Sequence, residues 1–137
     1  MFTQAPSGFL PVIVAGLISV PVGMLWFSKL MFAKPWMRMN KLSEQQMKKD
    51  GMSPAPFIVS ILSGLLMAFT LWVLIGVMQL STGPAISLGF LLWLGFDFFP
   101  GFTHHMFAKR PVALLLINSG YELTNTILMA WLLSNWN

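Results

Sequence analysis

The sequence has no cysteine. That excludes a disulfide framework, thiolate metal ligation and a cysteine nucleophile, and it leaves the redox compartment open. Charge is almost as scarce, since Lys, Arg, Asp and Glu make up 9% of the 137 residues, whereas a soluble domain carries about a quarter. A water-soluble unit of this size could not cover its surface with so few charges, so an ordinary soluble globular domain is excluded. No phosphate-cradling glycine loop, zinc-protease histidine pair or nucleophile elbow is present, and most of the glycines lie inside apolar runs, so neither an enzyme nor a bound cofactor is expected. The net charge of +4 does not point to nucleic acid, because the basic residues lie between apolar runs and not on one solvated, aromatic-studded face.

What is abundant is apolar sequence, 56% of the chain. It falls into four runs, each near the roughly 20 residues that a helix needs to cross about 30 Å of hydrocarbon. They cover about residues 9–32, 57–80, 84–107 and 111–134. Only Ser81-Thr82-Gly83-Pro84 separates the second run from the third, and only Ala108-Lys109-Arg110-Pro111 the third from the fourth, so these helices are expected to be antiparallel neighbours. Pro84 and Pro111 fall at first-turn positions, where a missing N–H costs nothing. The expected fold is all-α, an integral membrane four-helix bundle forming a single domain over residues 1–137, because helices satisfy their own backbone groups in lipid.

Orientation follows from the cations. The stretch after the first run carries Lys34, Arg38, Lys41, Lys48 and Lys49, and the third turn carries Lys109 and Arg110. Both basic loops are expected on the cytoplasmic side of a cell membrane, with both chain ends outside. The first run lacks a basic leader and a small-residue cleavage site, so it reads as a retained anchor and not a signal peptide. Within the long loop, Ser43 and Gln46 form a capping box, Leu42 and Met47 its hydrophobic staple, and Gly51 a C-terminal stop, which predicts a short amphipathic helix over about residues 44–50. That loop either lies on the membrane, its cations attracting anionic lipid, or serves as a solvated linker.

Met31-Phe32-Ala33-Lys34 recurs as Met106-Phe107-Ala108-Lys109, an echo that would make the chain two parallel hairpin repeats. The segments Gly23-Met24-Leu25-Trp26-Phe27-Ser28, Leu30 to Met37 and Leu116-Ile117-Asn118-Ser119-Gly120-Tyr121 resemble the DUF1761 family of small multi-pass membrane proteins. The chain departs from that family's pattern at Phe27, Ala33 and Glu122, where Tyr, Gly and often His stand. The resemblance implies the same four-helix arrangement and brings no assigned reaction or ligand.

The residues that cost most in lipid are Asp97 and Glu122, at about 2.5 to 3.5 kcal/mol each on insertion scales. Both lie about three turns from the basic turn joining the third and fourth runs, hence at matching depth. Asp97, Gly101 and His104 share one helical stripe (i, i+4, i+7), and Asn118, Glu122 and Asn125 share another. If both stripes face inward, two carboxylates meet with amides around them and a histidine toward the cytoplasm, and one carboxyl is expected to hold a proton near neutral pH. Such a pair suits a proton, a metal or organic cation, or a polar solute; alternatively the two acids only hydrogen-bond to Asn118, Asn125 or Thr103 and lock the helices. A bis-histidine haem would need an axial ligand from a second copy, and the 11 methionines read as apolar filler more readily than as a soft-metal site. Trp93 is placed one turn from Asp97 as a cavity wall or packing group. Ala15, Ser19 and Gly23, and Ser60, Gly64 and Ala68, recur at four-residue spacing and permit close helix contact. Pro21 and Pro100 should kink their helices.

Two functions are expected as alternatives: a small, oligomeric transporter or channel-like protein using Asp97, Glu122, His104, Asn118 and Asn125, or a non-catalytic assembly subunit whose polar residues are structural. Either would have lipid around it, and either a second copy or a partner membrane subunit beside it.

Overall fold

The computed structural model describes residues 8–28, 31, 33–39 and 55–136, and all of the regular structure among them is helical. In chain order the elements are α1 (Leu10–Leu17), α2 (Ser19–Trp26), α3 (Ala33–Met39), α4 (Ala55–Met78), α5 (Thr82–Ala108) and α6 (Val112–Asn135). The later three match the runs expected at 57–80, 84–107 and 111–134 to within about two residues at most ends. The predicted helix at residues 44–50, with Lys41, Lys48 and Lys49, lies outside the described residues.

The first run differs from its expected span of 9–32. Pro21 has no N–H for the carbonyl of Leu17 and its ring presses on that carbonyl, so the helix breaks just after Leu17. At the break, the N–H of Ile18 is shared between the carbonyls of Val14 (3.1 Å) and Ala15 (3.3 Å). The helix then stops at Trp26, where the Ser28 hydroxyl (2.6 Å) and the Ser28 backbone N–H (3.2 Å) both donate to the carbonyl of Leu25. A separate short helix of seven residues, α3, follows. The surroundings of the two tetrapeptide copies differ: Lys34 lies in the first turn of α3, whereas Met106-Phe107-Ala108 close α5.

Both tight turns use one device. Gln79 (φ 53°) and Lys109 (φ 57°) take the left-handed conformation just past α4 and α5. The next amide in each reaches back five residues, Leu80 to Ile75 (3.0 Å) and Arg110 to His105 (2.9 Å), closing the last turn as a Schellman motif.

Within α5, residues Leu94–Phe98 form a π-helical turn, and the amide of Phe99 donates to the carbonyl of Leu94, five residues back. Pro100 explains its place. The proline cannot bond the carbonyl of Phe96 and would collide with it in a regular α-turn, so the chain widens immediately before it. The expected kink is thus a π-turn that inserts one extra residue into the helix.

α6 is the central element and contacts α1 to α5. Its buried face includes Leu114, Leu115, Ile117, Ser119, Asn125, Thr126, Met129 and Leu133. The core continues through Val12 and Ala15 of α1 and Ala68, Leu71, Trp72 and Ile75 of α4. The expected small-residue contact forms between α1 and α4: a Cβ placed on Gly64 would lie 2.6 Å from the carbonyl oxygen of Gly16, so the two backbones touch.

Two helical stretches are long and apolar enough to cross a membrane, Phe57–Met78 and Thr82–Ala108, while Leu10–Trp26 is apolar but shorter. α6 is as long as α4, but its Asn, Ser, Glu and Thr residues dilute its hydropathy. Ser119, Asn125 and Thr126 are buried, so that polarity faces protein. The outer surface is strongly apolar, with Phe107 86% and Phe96 81% exposed.

Candidate functional site

α6 places Asn118 and Glu122 one turn apart on a face that looks toward the π-turn of α5, which carries Asp97. These three line a cavity of about 380 Å³ together with Gly101, His105, Leu115 and Ser119, closed on one side by Phe27 and Tyr121. A second cavity, about 520 Å³, opens beside it between α4 (Leu66, Met67, Thr70, Leu71), α5 (Leu92, Trp93, Phe96) and Thr126 of α6. Asp97 and Glu122 belong to the walls of both, so the acid pair forms the partition between a polar cavity and a mostly apolar one.

Asp97, Glu122 and Asn118 thus come together as their stripes suggest. Asn125 does not join them; it is 2% exposed, lines neither cavity, and its Oδ1 makes no hydrogen bond. The histidine also differs from expectation. His104 is exposed, and His105 lines the polar cavity in its place. The i, i+7 spacing assumed an unbroken α-helix from residue 97; the π-turn around Asp97 takes up one extra residue, so the position below Gly101 falls at i+8. Nδ1 of His105 lies 2.9 Å from the Gly101 carbonyl. A carbonyl only accepts, so Nδ1 carries the proton, and Nε2 of the neutral ring is left as a buried acceptor without a partner in the protein. Asp97 Oδ2 is likewise buried and unbonded.

Four donors around the site are committed elsewhere. Trp93 Nε1 donates to the carbonyl of Ser119 at 2.8 Å, Thr70 to Leu66 at 2.9 Å and Thr126 to Glu122 at 2.7 Å, the last through its backbone carbonyl. Tyr121 donates to the carbonyl of Ser19 at 2.8 Å. Asp97 Oδ2 and His105 Nε2 remain as buried acceptors, and the Asn118 amide and Ser119 hydroxyl line the same cavity.

The two sequence patches around Gly23–Ser28 and Leu116–Tyr121, far apart in the chain, meet at this cavity. Trp26 Nε1 donates to the carbonyl of Ile117 at 2.9 Å, and the Trp26 ring covers Gly120, where an added Cβ would lie 3.0 Å from its edge. Gly23 admits Tyr121 in the same way, an added Cβ falling 3.0 Å from the phenol oxygen. Phe27 stacks edge-on with Tyr121 (5.3 Å between ring centres) and with Trp36 (5.8 Å). The glycines are thus places where aromatic side chains approach backbone. Sequence reasoning did not place Phe27, Tyr121, Ser119 or His105 in the site; the close occurrence of Gly and aromatic residues in both patches was the available signal.

Of the basic residues, Lys34, Arg38, Lys109 and Arg110 are exposed and lie on α3 and the α5–α6 turn. Among the described residues, no three His, Asp or Glu side chains converge as ligands of a metal ion.

Against known families, residues 10–134 match the model described as "Protein of unknown function (DUF1761)". The chain belongs to that family. No curated protein and no solved structure matches it.

Proposed function

We propose that this DUF1761 chain is a four-span membrane protein that binds a cation or proton at the Asp97–Glu122 pair and passes it across the bilayer. Four spans follow if Leu10–Trp26 and α6 cross beside the two long apolar helices. At 1.5 Å per residue α6 is long enough, and its polar groups turn inward. The exposed cations on α3 and the α5–α6 turn then lie on one side, which the positive-inside rule makes cytoplasmic, with both chain ends outside.

The observation that carries the transport reading is the shared partition: each of two cavities reaches the same two carboxylates from a different side. Acids in a helical membrane protein are costly, and those that line cavities typically mark ion paths. In the assembly-subunit reading, the acids would be packed against amide or hydroxyl partners, whereas Asp97 Oδ2 makes no bond within the protein. A second copy of the chain beside the first would complete a path too small for one bundle to enclose.

The test is flux in proteoliposomes across a range of pH and with Na⁺ and K⁺, for the native chain, Asp97→Asn and Glu122→Gln. The native chain should support flux and each variant should lose at least tenfold, as removal of a binding charge requires. Flux equal in all three, or absent from the native protein, refutes the proposal.

A further inference from the structure

Building on that reading, we infer that the cation which the site selects is an amphiphilic ammonium: a protonated amine on an apolar or aromatic body, its body in the second cavity and its head at Asp97 and Glu122. The walls divide the chemistry. Leu66, Met67, Leu71, Leu92 and Phe96 give hydrocarbon and aromatic surface over about 520 Å³, within the size range of small-molecule pockets. A hydrated inorganic ion would set its water shell against that surface, whereas an organic body would bury its own apolar area there.

Hydrogen bonding selects the head. The remaining polar donors on this wall, Thr70, Thr126 and Trp93, are spent on helix carbonyls. Toward the polar cavity, the buried Asp97 Oδ2 and His105 Nε2 are acceptors without partners. Two carboxylates and a neutral imidazole nitrogen ask for N–H donors and positive charge, which an ammonium brings in one group. An anion would meet two acids and no compensating cation, because among the described residues no Lys or Arg lines either cavity.

The Trp93 ring adds a face for the cation. It is held by its own Nε1 bond and by stacking on Phe90 and Phe98 (5.7 and 5.2 Å between ring centres), and it lines the same cavity as the acids.

The experiment is equilibrium dialysis of the full chain in nanodiscs, against empty nanodiscs, with 4-phenylbenzylammonium and its size-matched neutral and anionic counterparts, 4-phenylbenzyl alcohol and 4-phenylbenzoate. The ammonium should bind saturably and at least tenfold more tightly than either counterpart. Asp97→Asn and Glu122→Gln should each remove that preference. Leu66→Trp, at a position 66% exposed, should weaken the ammonium severalfold by filling the cavity mouth. Thermal unfolding of each variant verifies that it is folded. Equal binding of ammonium and alcohol, or an ammonium preference that survives both acid substitutions, overturns the inference. If flux through the native chain still depends on the acids, the ligand class alone is wrong; if flux and ammonium binding are both absent, the transport reading falls with it.

Discussion

Gly64→Ala adds one methyl group where α1 and α4 touch. That methyl would sit 2.6 Å from the carbonyl oxygen of Gly16 and 2.7 Å from Ser19 Oγ. A comfortable carbon–oxygen contact is about 3.3 to 3.6 Å, so the helices must part by roughly 0.7 Å. The nearest atom is backbone, so no side-chain rotation relieves it. A gap of about that size forfeits a quarter to a half of each dispersion contact along the seam, and overpacking of this kind costs about 1 to 3 kcal/mol. Alanine returns about 0.5 to 1 kcal/mol of helix preference over glycine. The net expectation is a loss of about 1 to 2 kcal/mol. Gly83→Ala is the matched control, because a Cβ there meets no atom within 4 Å and only the helix preference remains. Thermal unfolding in one detergent, followed by tryptophan fluorescence, should therefore show Gly64→Ala melting lower than the native chain, by several degrees at roughly 2 to 4 °C per kcal/mol, and Gly83→Ala melting at or above it. If Gly64→Ala is as stable as Gly83→Ala, the backbone contact is not what seats α1 on α4.

Tyr121→Phe keeps the ring against Phe27 but loses the bond to the Ser19 carbonyl, and should cost about 0.6 to 1 kcal/mol in the same unfolding assay. Gln79→Gly and Lys109→Gly each relieve a left-handed residue that carries a Cβ, and each should stabilise by about 1 kcal/mol, with the double variant near the sum. His105→Ala should change ligand binding or flux and His104→Ala should not; the reverse pattern would mean that the π-turn does not set the register of the lower half of α5.

Much of the architecture was legible because apolar length and turn chemistry agree. Pro84 and Pro111 beside very short polar stretches bounded α4, α5 and α6 closely. Continuity of apolar residues misled at the other end: 9–32 reads as one span, yet Pro21 breaks it at Ile18 and Trp26 turns away to pack on α6. The pairing of Asp97 with Glu122 could be read from helical spacing and matched depth. The choice between His104 and His105 could not, since it depends on where Pro100 makes the helix admit an extra residue. Nor could the meeting of Trp26 with Ile117, 91 residues apart, because tertiary partners leave no periodic mark in a single sequence.

Trp26 and Trp93 reach α6 from different helices and bond carbonyls only two residues apart, at Ile117 and Ser119. Mechanically this makes α6 a keyed shaft. A turn about its own axis would shear both indole bonds at once and drag Gly120 against the Trp26 ring. The part of α5 beyond the π-turn, Phe99–Ala108, has no buried residue and is not keyed to α6 by any such bond, so it is the less firmly held side of the site.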